Sequence, residues 1–275
     1  MLNIDKLIEI ALEEDIGSGD VTTDPIVENH RTGEGKIVAK ESMVLAGLDV
    51  AYEVFRTLDP AIAFKTSYKD GDHITKGSTI LQLSGKLRAL LKGERTALNF
   101  LQRLSGIATL TRRYVDRVAG TGVRLVDTRK TTPGWRPLEK YAVRMGGGYN
   151  HRFGLYDGVL IKENHIEAAG GITEAVTRIR KVGHHLLNIE VEVTNIEQVK
   201  EAIENKVDTI MLDNMASDKI TDAVSLINGR ALVEVSGGVN LDNILDLAKT
   251  GVDIISVGAL THSARAVDIS MLITL

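Results

Sequence analysis

Leu187-Asn-Ile-Glu-Val-Glu-Val193, Val207-Asp-Thr-Ile-Met-Leu-Asp213, Ala231-Leu-Val-Glu-Val-Ser236 and Val252-Asp-Ile-Ile-Ser-Val-Gly258 follow one another in the second half of the chain. Each is a short, nearly continuous apolar run of the kind a strand buried on both faces requires. Their ends at Glu192, Asp213, Ser236 and Gly258 lie 21, 23 and 22 residues apart, room for one strand and one helix per repeat. Helical patterns at 195–205 and 241–249 fill two of the intervals. Further strands are expected at 123–128 and 157–162. Strand–helix alternation means a parallel sheet covered by helices, and the even spacing favours a TIM-like α/β barrel over an open doubly wound sheet. No G-x-G-x-x-G follows the first strand. Six strands do not close an eight-stranded barrel, so the missing ones lie within 94–122 or 145–156, or the barrel is incomplete.

Outward from this core the pattern changes. Ile4, Leu7, Ile8, Ala11 and Leu12 recur at helical spacing over 3–14, and Gly17-Ser18-Gly19-Asp20 ends that helix. Short β-type runs follow at 36–39, 63–66 and 79–83, with a helix at 44–58 and turns at Asp70-Gly71 and Lys76-Gly77. A long helix over Gly93–Ala119 then serves as hinge. We expect a smaller N-terminal α+β sandwich over 1–106 and a barrel over 107–275, whose extreme C-terminus packs back on the first domain.

Composition narrows the function classes. With 33 Lys+Arg against 37 Asp+Glu the net charge is −4, which gives no global basic field for nucleic acid or an anionic membrane. The absence of cysteine removes disulfides, thiolate metal sites and a cysteine nucleophile, and fits a reducing compartment. No charged-then-apolar leader opens the chain and no run of 18 apolar residues occurs, so a cytoplasmic globular protein is expected.

The barrel strands end in residues that a core does not want. Asp127-Thr128-Arg129-Lys130, Lys162-Glu163-Asn164-His165, Glu190-Val191-Glu192, Asp213-Asn214, Ser236-Gly237-Gly238 and Gly258-Ala259 stand at six successive ends. In a parallel barrel these ends converge on the face where active sites are built. Arg129, Lys130, Arg152 and Lys162 would make an anion site there, since arginine binds carboxylate and phosphate through two parallel hydrogen bonds. Glu192 and Asp213 would hold Mg²⁺ beside a pyrophosphate, or accept ribose hydroxyls and steady positive charge at the sugar, or act as salt-bridge partners of those cations. The Ser236-Gly237-Gly238 and Gly258-Ala259 turns would present backbone N–H groups to a phosphate. His151 sits in the polar Asn150-His151-Arg152 loop and is a donor to a ligand, while His165 and His262 read as well as structural histidines. Trp135 and Tyr141 read as packing. A Schiff-base aldolase centred on Lys162 fits the same inventory.

The runs Gly93-Glu94-Arg95-Thr96-Ala97-Leu98-Asn99, Asp127 to Gly134, Gly147 to Arg152, Ile161 to His165, Glu190 to Val193, Met211 to Asn214, Ser236 to Gly238 and Val257 to Ser263 together resemble the signatures of the quinolinate phosphoribosyltransferase family. Glu14 to Thr22 is similar to its opening, and the match runs in order over about residues 11 to 270. The resemblance implies an N-terminal sandwich, an incompletely closed C-terminal barrel, and a homodimer in which one subunit completes the other's site. It implies transfer of ribose 5-phosphate from phosphoribosyl pyrophosphate to quinolinate with release of carbon dioxide. On it, Arg95 would reach quinolinate across the interface, and Arg129, His151, Arg152 and Lys162 would surround the acid within the barrel. Lys130, Glu192 and Asp213 would face the donor and its Mg²⁺, and Ser236, Gly237, Gly258 and Ala259 would hold the 5-phosphate. The resemblance puts the family's glutamate at Glu192 in preference to Glu190, on the expectation that the strand turns only one of the two inward. A related phosphoribosyltransferase acting on another acidic ring is the nearest rival. A biotinyl- or lipoyl-carrier half over 63–85 is the non-enzymatic one.

Overall fold

The computed structural model describes residues 4–274. In chain order the elements are α1 (Ile4–Ile16), α2 (Thr23–Ile26), β1 (Thr32–Ala39), β2 (Met43–Val44), α3 (Leu48–Leu58), β3 (Ala63–Lys65), β4 (His73–Ile74), β5 (Thr79–Lys86) and α4 (Leu87–Arg117). Then come β6 (Arg124–Val126), α5 (Arg136–Met145), β7 (Val159–Ile161), α6 (Glu163–Ala169), α7 (Ile172–Val182), β8 (Ile189–Val193), α8 (Ile196–Glu204) and β9 (Thr209–Asp213). The chain continues through α9 (Ser217–Ile227), β10 (Leu232–Ser236), α10 (Ile244–Ala248), β11 (Ile254–Ser256), α11 (Ala259–His262) and β12 (Ile269–Thr274). The contacts sort these residues into two compact units: one holds the chain up to Arg112 with Thr132–Gly147 and Ser263 onward, the other Arg113–Thr131 with Gly148–His262.

In the first unit a four-stranded antiparallel sheet has the order β12-β1-β5-β3, and β2 pairs with β4. Strand β12 lies outside every β-run expected from the sequence. It forms because Ile269 and Met271 alternate inward beside Ile37 and Ala39 of β1, against which it pairs from Glu34↔Thr274 to Ala39↔Ile269. Helix α3 starts at Leu48, not at residue 44 as the apolar pattern suggests. Val44 pairs in β2 instead, and Asp70 fixes the start by accepting from the backbone N–H of Gly47 at 2.8 Å and of Leu48 at 3.2 Å. Such a cap, 22 residues away in sequence, leaves no local trace. Helix α4 begins at Leu87, a turn and a half before the expected Gly93. Gly93 is an interior residue of the helix, where a methyl group would stand 2.8 Å from the Phe55 ring. Trp135 stacks on Phe100 with centroids 4.6 Å apart, which is packing as expected; Tyr141 adds a hydrogen bond of 2.8 Å to Asp70. Of the helix expected over 3–14, Asn3 lies outside the described residues.

In the second unit all six expected barrel strands are present, in one parallel sheet of order β6-β11-β10-β9-β8-β7. Ile189, Val191 and Val193 are at most 3% exposed on one face of β8, where α8 offers Val199 and Ala202 and caps itself through Asn195, whose side chain accepts from Gln198 N. Burying aliphatic side chains such as these contributes about 1.5–3 kcal/mol each. Hydrogen bonds do not close the sheet into a full barrel. Residues 94–117 are helix, and of 145–156 only Tyr149 reaches the sheet, as a single parallel bridge to Val126. The architecture is the incompletely closed α/β barrel that the family resemblance implies, the second of the two outcomes left open by the repeat spacing.

Candidate active site

Residues two apart on a strand share a face, and this rule builds the site. Leu160 and Lys162 at β7, Met211 and Asp213 at β9, Glu234 and Ser236 at β10, and Ser256 and Gly258 at β11 all line one cavity of about 770 Å³. Glu192 of β8 and the segment Thr128-Arg129-Lys130 after β6 join them, with His151, Arg152 and His262 from loops and α11. The cavity therefore opens at the C-terminal ends of the parallel strands, with Ser236 paired to Asp213 in register, and Met211 to both Glu192 and Glu234.

Four expected cations, Arg129, Lys130, Arg152 and Lys162, stand around this single cavity. Lys130 is exposed with no ion pair among the described residues, and its backbone oxygen accepts from Thr261 Oγ1 at 2.7 Å. Arg152 is anchored to the carbonyl of Gly158 at 2.9 Å, and burial, followed by the neighbouring Arg129, pushes its guanidinium pKa down. A half-buried guanidinium beside a second one is a place where an anionic ligand would be favoured. Lys162 Nζ is paired with Glu192, so the amine an aldolase would need is already engaged by a carboxylate. The fifth cation, Arg95, belongs to the other unit, exposed on α4 with no hydrogen bond or ion pair to its side chain among the described residues.

The loop carrying His151 and Arg152 rests on Asp127, which is fully buried at the end of β6. Asp127 accepts from Asn150 Nδ2 at 2.6 Å and from His151 N at 2.9 Å. His165 is absent from the cavity: its Nδ1 accepts from Lys162 N at 3.0 Å and caps α6, a structural part. His262 does line the cavity, beside Gly258. A methyl group at Gly258 would lie 3.1 Å from both His262 Nε2 and Lys130 Cδ. At Gly237, where φ is +88°, it would run into the Asn214 amide, whose Nδ2 donates to Asp213 Oδ2 at 2.9 Å. Gly237 is thus required by close approach and by its positive φ, while a methyl at Gly258 would crowd the Lys130 and His262 side chains.

One expectation fails. Glu190 and Glu192 are two apart, so both turn inward, while Ile189, Val191 and Val193 face the helices. Glu190 meets His151 Nε2 at 3.1 Å, and Glu192 meets Lys162. Glu234 was missed altogether. It is 2% exposed, with His151 Nε2 at 3.6 Å, and its pKa is pushed up to about 8 by burial and by Glu190 against the pull of His151 and Ser256. A lone glutamate within Leu-Val-Glu-Val-Ser, on the same face as Ser236, was the available signal.

Comparison with known proteins decides the family. Residues 107–272 match the model of the quinolinate phosphoribosyl transferase C-terminal domain, and residues 20–105 that of its N-terminal domain. The chain belongs to the quinolinate phosphoribosyl transferase family. It is 47% identical to the probable nicotinate-nucleotide pyrophosphorylase [carboxylating] of Bacillus subtilis, covering 100% of this chain and 94% of that one. It is 48% identical to the like-named protein of Synechocystis sp., covering 98% of this chain and 92% of the relative. Among solved structures, NadC from Streptococcus pyogenes superposes with a TM-score of 0.95 at 43% identity, covering 98% of this chain and 96% of that one. These relatives thus match this chain nearly from end to end.

Proposed function

We propose that this chain transfers the 5-phosphoribosyl group of phosphoribosyl pyrophosphate to the ring nitrogen of quinolinate, with loss of carbon dioxide, giving nicotinate mononucleotide and pyrophosphate. The observation that carries the reading is the division of one cavity into a cationic side, from β6, the 150–152 loop and β7, and a side of carboxylates and glycine turns, from β8 to β11. Quinolinate has two carboxylates beside its ring nitrogen, and the donor carries three phosphates. Bringing so much negative charge out of water costs heavily unless cations stand ready. Arg129, Arg152 and Lys162 bind the two carboxylates. Lys130 approaches the leaving pyrophosphate, and Glu192 and Asp213 accept ribose hydroxyls and stabilise positive charge at the anomeric carbon. The ring nitrogen attacks that carbon as the bond to pyrophosphate breaks. The quaternised ring then takes up the electron pair of the departing 2-carboxylate, and a proton from solvent replaces it. The protein contributes position and electrostatics.

Glu192 and Asp213 are hard oxygen donors at adjacent strand ends, and with the donor's phosphates they fit Mg²⁺, though not as a complete protein cage. When bound, the ion would neutralise charge on the pyrophosphate as it leaves. The 5-phosphate would sit against the turns at Ser236-Gly237 and Gly258-Ala259. Arg95, exposed and without a protein partner, is suited to reach the quinolinate pocket of a second copy, so we place the working form as a homodimer with shared sites. A cytoplasmic setting fits a chain without cysteine, and no helix among the described residues is long and apolar enough to cross a membrane.

Purified protein with quinolinate, phosphoribosyl pyrophosphate and Mg²⁺ is expected to form nicotinate mononucleotide and carbon dioxide in equal amounts. Product without carbon dioxide would point to another acidic ring as substrate. Substituting Arg152→Ala should weaken quinolinate binding at least about tenfold in calorimetry, since charge-assisted hydrogen bonds contribute about 1.5–3 kcal/mol, and leave donor binding nearly unchanged. Unchanged quinolinate affinity would remove Arg152 from the acid's pocket.

A further inference from the structure

Three side chains meet one step below the strand-end residues assigned to substrate, two of them, His151 and Glu234, lining the cavity and the third, Glu190, beside them, with ligand-type atoms all within 4.8 Å of one another. Their side chains are 14%, 12% and 2% exposed. Glu190 Oε1 and Glu234 Oε1 are both buried without a hydrogen-bond partner. The Arg152 guanidinium acts on Glu190, and if Glu234 ionised as well, its more deeply buried charge would need a metal ion, an imidazolium or a proton beside it.

The ring of His151 chooses among these. The backbone N–H of Arg152 donates to His151 Nδ1 at 2.8 Å, so the Nδ1 lone pair is in use and that nitrogen carries no proton. The ring hydrogen is then on Nε2, which donates to Glu190 Oε2 at 3.1 Å. A ring in this tautomer is neutral, and an Nε2 that carries hydrogen cannot ligate a metal. The imidazole therefore supplies one donor and no charge. One negative charge of the pair remains to be cancelled, and Glu234, the more deeply buried of the two, is the group for which ionisation costs most.

We propose that Glu234 is held as the neutral acid, donating its proton to Glu190, and that this proton is a positioning element for the dianionic substrate, because it removes a negative charge from the floor of the pocket that receives the acid. The inference rests on the quinolinate reading for the identity of that substrate, but the protonation state does not. The groups facing Glu234 are Glu190 from β8, His151 from the loop and the Ser256 hydroxyl from β11, while β9 presents Met211 beside it in register. Arg152 lies beyond, acting on Glu190. The sense of the pH dependence follows: burial and Glu190 push the Glu234 pKa up to about 8. Below that value Glu234 is neutral, and above it the pocket gains a negative charge opposed to the incoming carboxylates.

Two measurements on the whole protein test this. In calorimetric titrations of quinolinate between neutral and alkaline pH, affinity should fall by about tenfold per pH unit once Glu234 ionises, the slope of a single linked proton. Glu234→Gln, isosteric with the neutral acid, should flatten that limb, and Glu234→Asp should restore it. The second measurement is the infrared carbonyl band of a protonated carboxyl in the substrate-free protein. It should be present at neutral pH, disappear on alkaline titration, and be missing from E234Q. Absence of that band at neutral pH in the unaltered protein overturns the proposal whatever the protein binds. So does an alkaline fall in quinolinate affinity that E234Q leaves intact. Failure of quinolinate to bind at any pH, with the band present, refutes the substrate reading and leaves the proton where we place it.

Discussion

At the level of single residues, the site depends on side chains that never face the substrate. Asp127 is fully buried and its two oxygens accept from Asn150 Nδ2 and His151 N, so it sets the path of the loop that carries His151 and Arg152. Asp127→Ala should cost about 1.5–3 kcal/mol in denaturant unfolding, since it removes hydrogen bonds to a charged group, and should raise the quinolinate KM in parallel. An unchanged KM would mean that the loop holds its course without this anchor. Residues of this kind were only partly legible. The cations and carboxylates at strand ends stand out because a core rejects them, and the structure gathers them at one cavity. Glu234 and Ser256 escaped notice because they sit one step inside those ends, among apolar neighbours. The two-residue period that exposes them also shows that Glu190 and Glu192 are no alternatives.

Among elements, legibility tracked how local the cause was. The six parallel strands follow from apolar runs at even spacing, and each appears where its run lies. The starts of α3 and α4 and the whole of β12 have partners far along the chain, Asp70, Asp59 (which accepts from Lys86 N at 2.9 Å) and β1, so local pattern could not set them. The turn after β10 is where an element acts most directly on chemistry. Gly237 has φ of +88° and lies against the Asn214 amide that bonds Asp213. Gly237→Ala should therefore lose about 1–3 kcal/mol of stability through backbone strain and, by displacing Asn214, raise the donor's KM more than quinolinate's. Equal effects on the two KM values would separate the turn from the donor.

For the whole molecule, the proposed exchange of Arg95 between subunits has a quantitative signature. Arg95→Ala and Arg152→Ala variants, each inactive alone, should regain roughly a quarter of full activity when unfolded together and refolded as random dimers, because half the dimers are mixed and one of their two sites is intact. No recovery would mean that each chain furnishes its own Arg95. The unclosed sheet also has a bearing on how the site works. Ladder hydrogen bonds tie β8, β9, β10 and β11 to one another, so the carboxylates and glycine turns ride on a braced frame. Arg129, Lys130, His151 and Arg152 lie on the excursion between the two outermost strands, β6 and β7, where Tyr149 makes the single ladder bridge among the described residues. The seam where a full barrel would be stitched shut thus falls within the basic half of the pocket. A displacement of that half would therefore break no rung between β8, β9, β10 and β11.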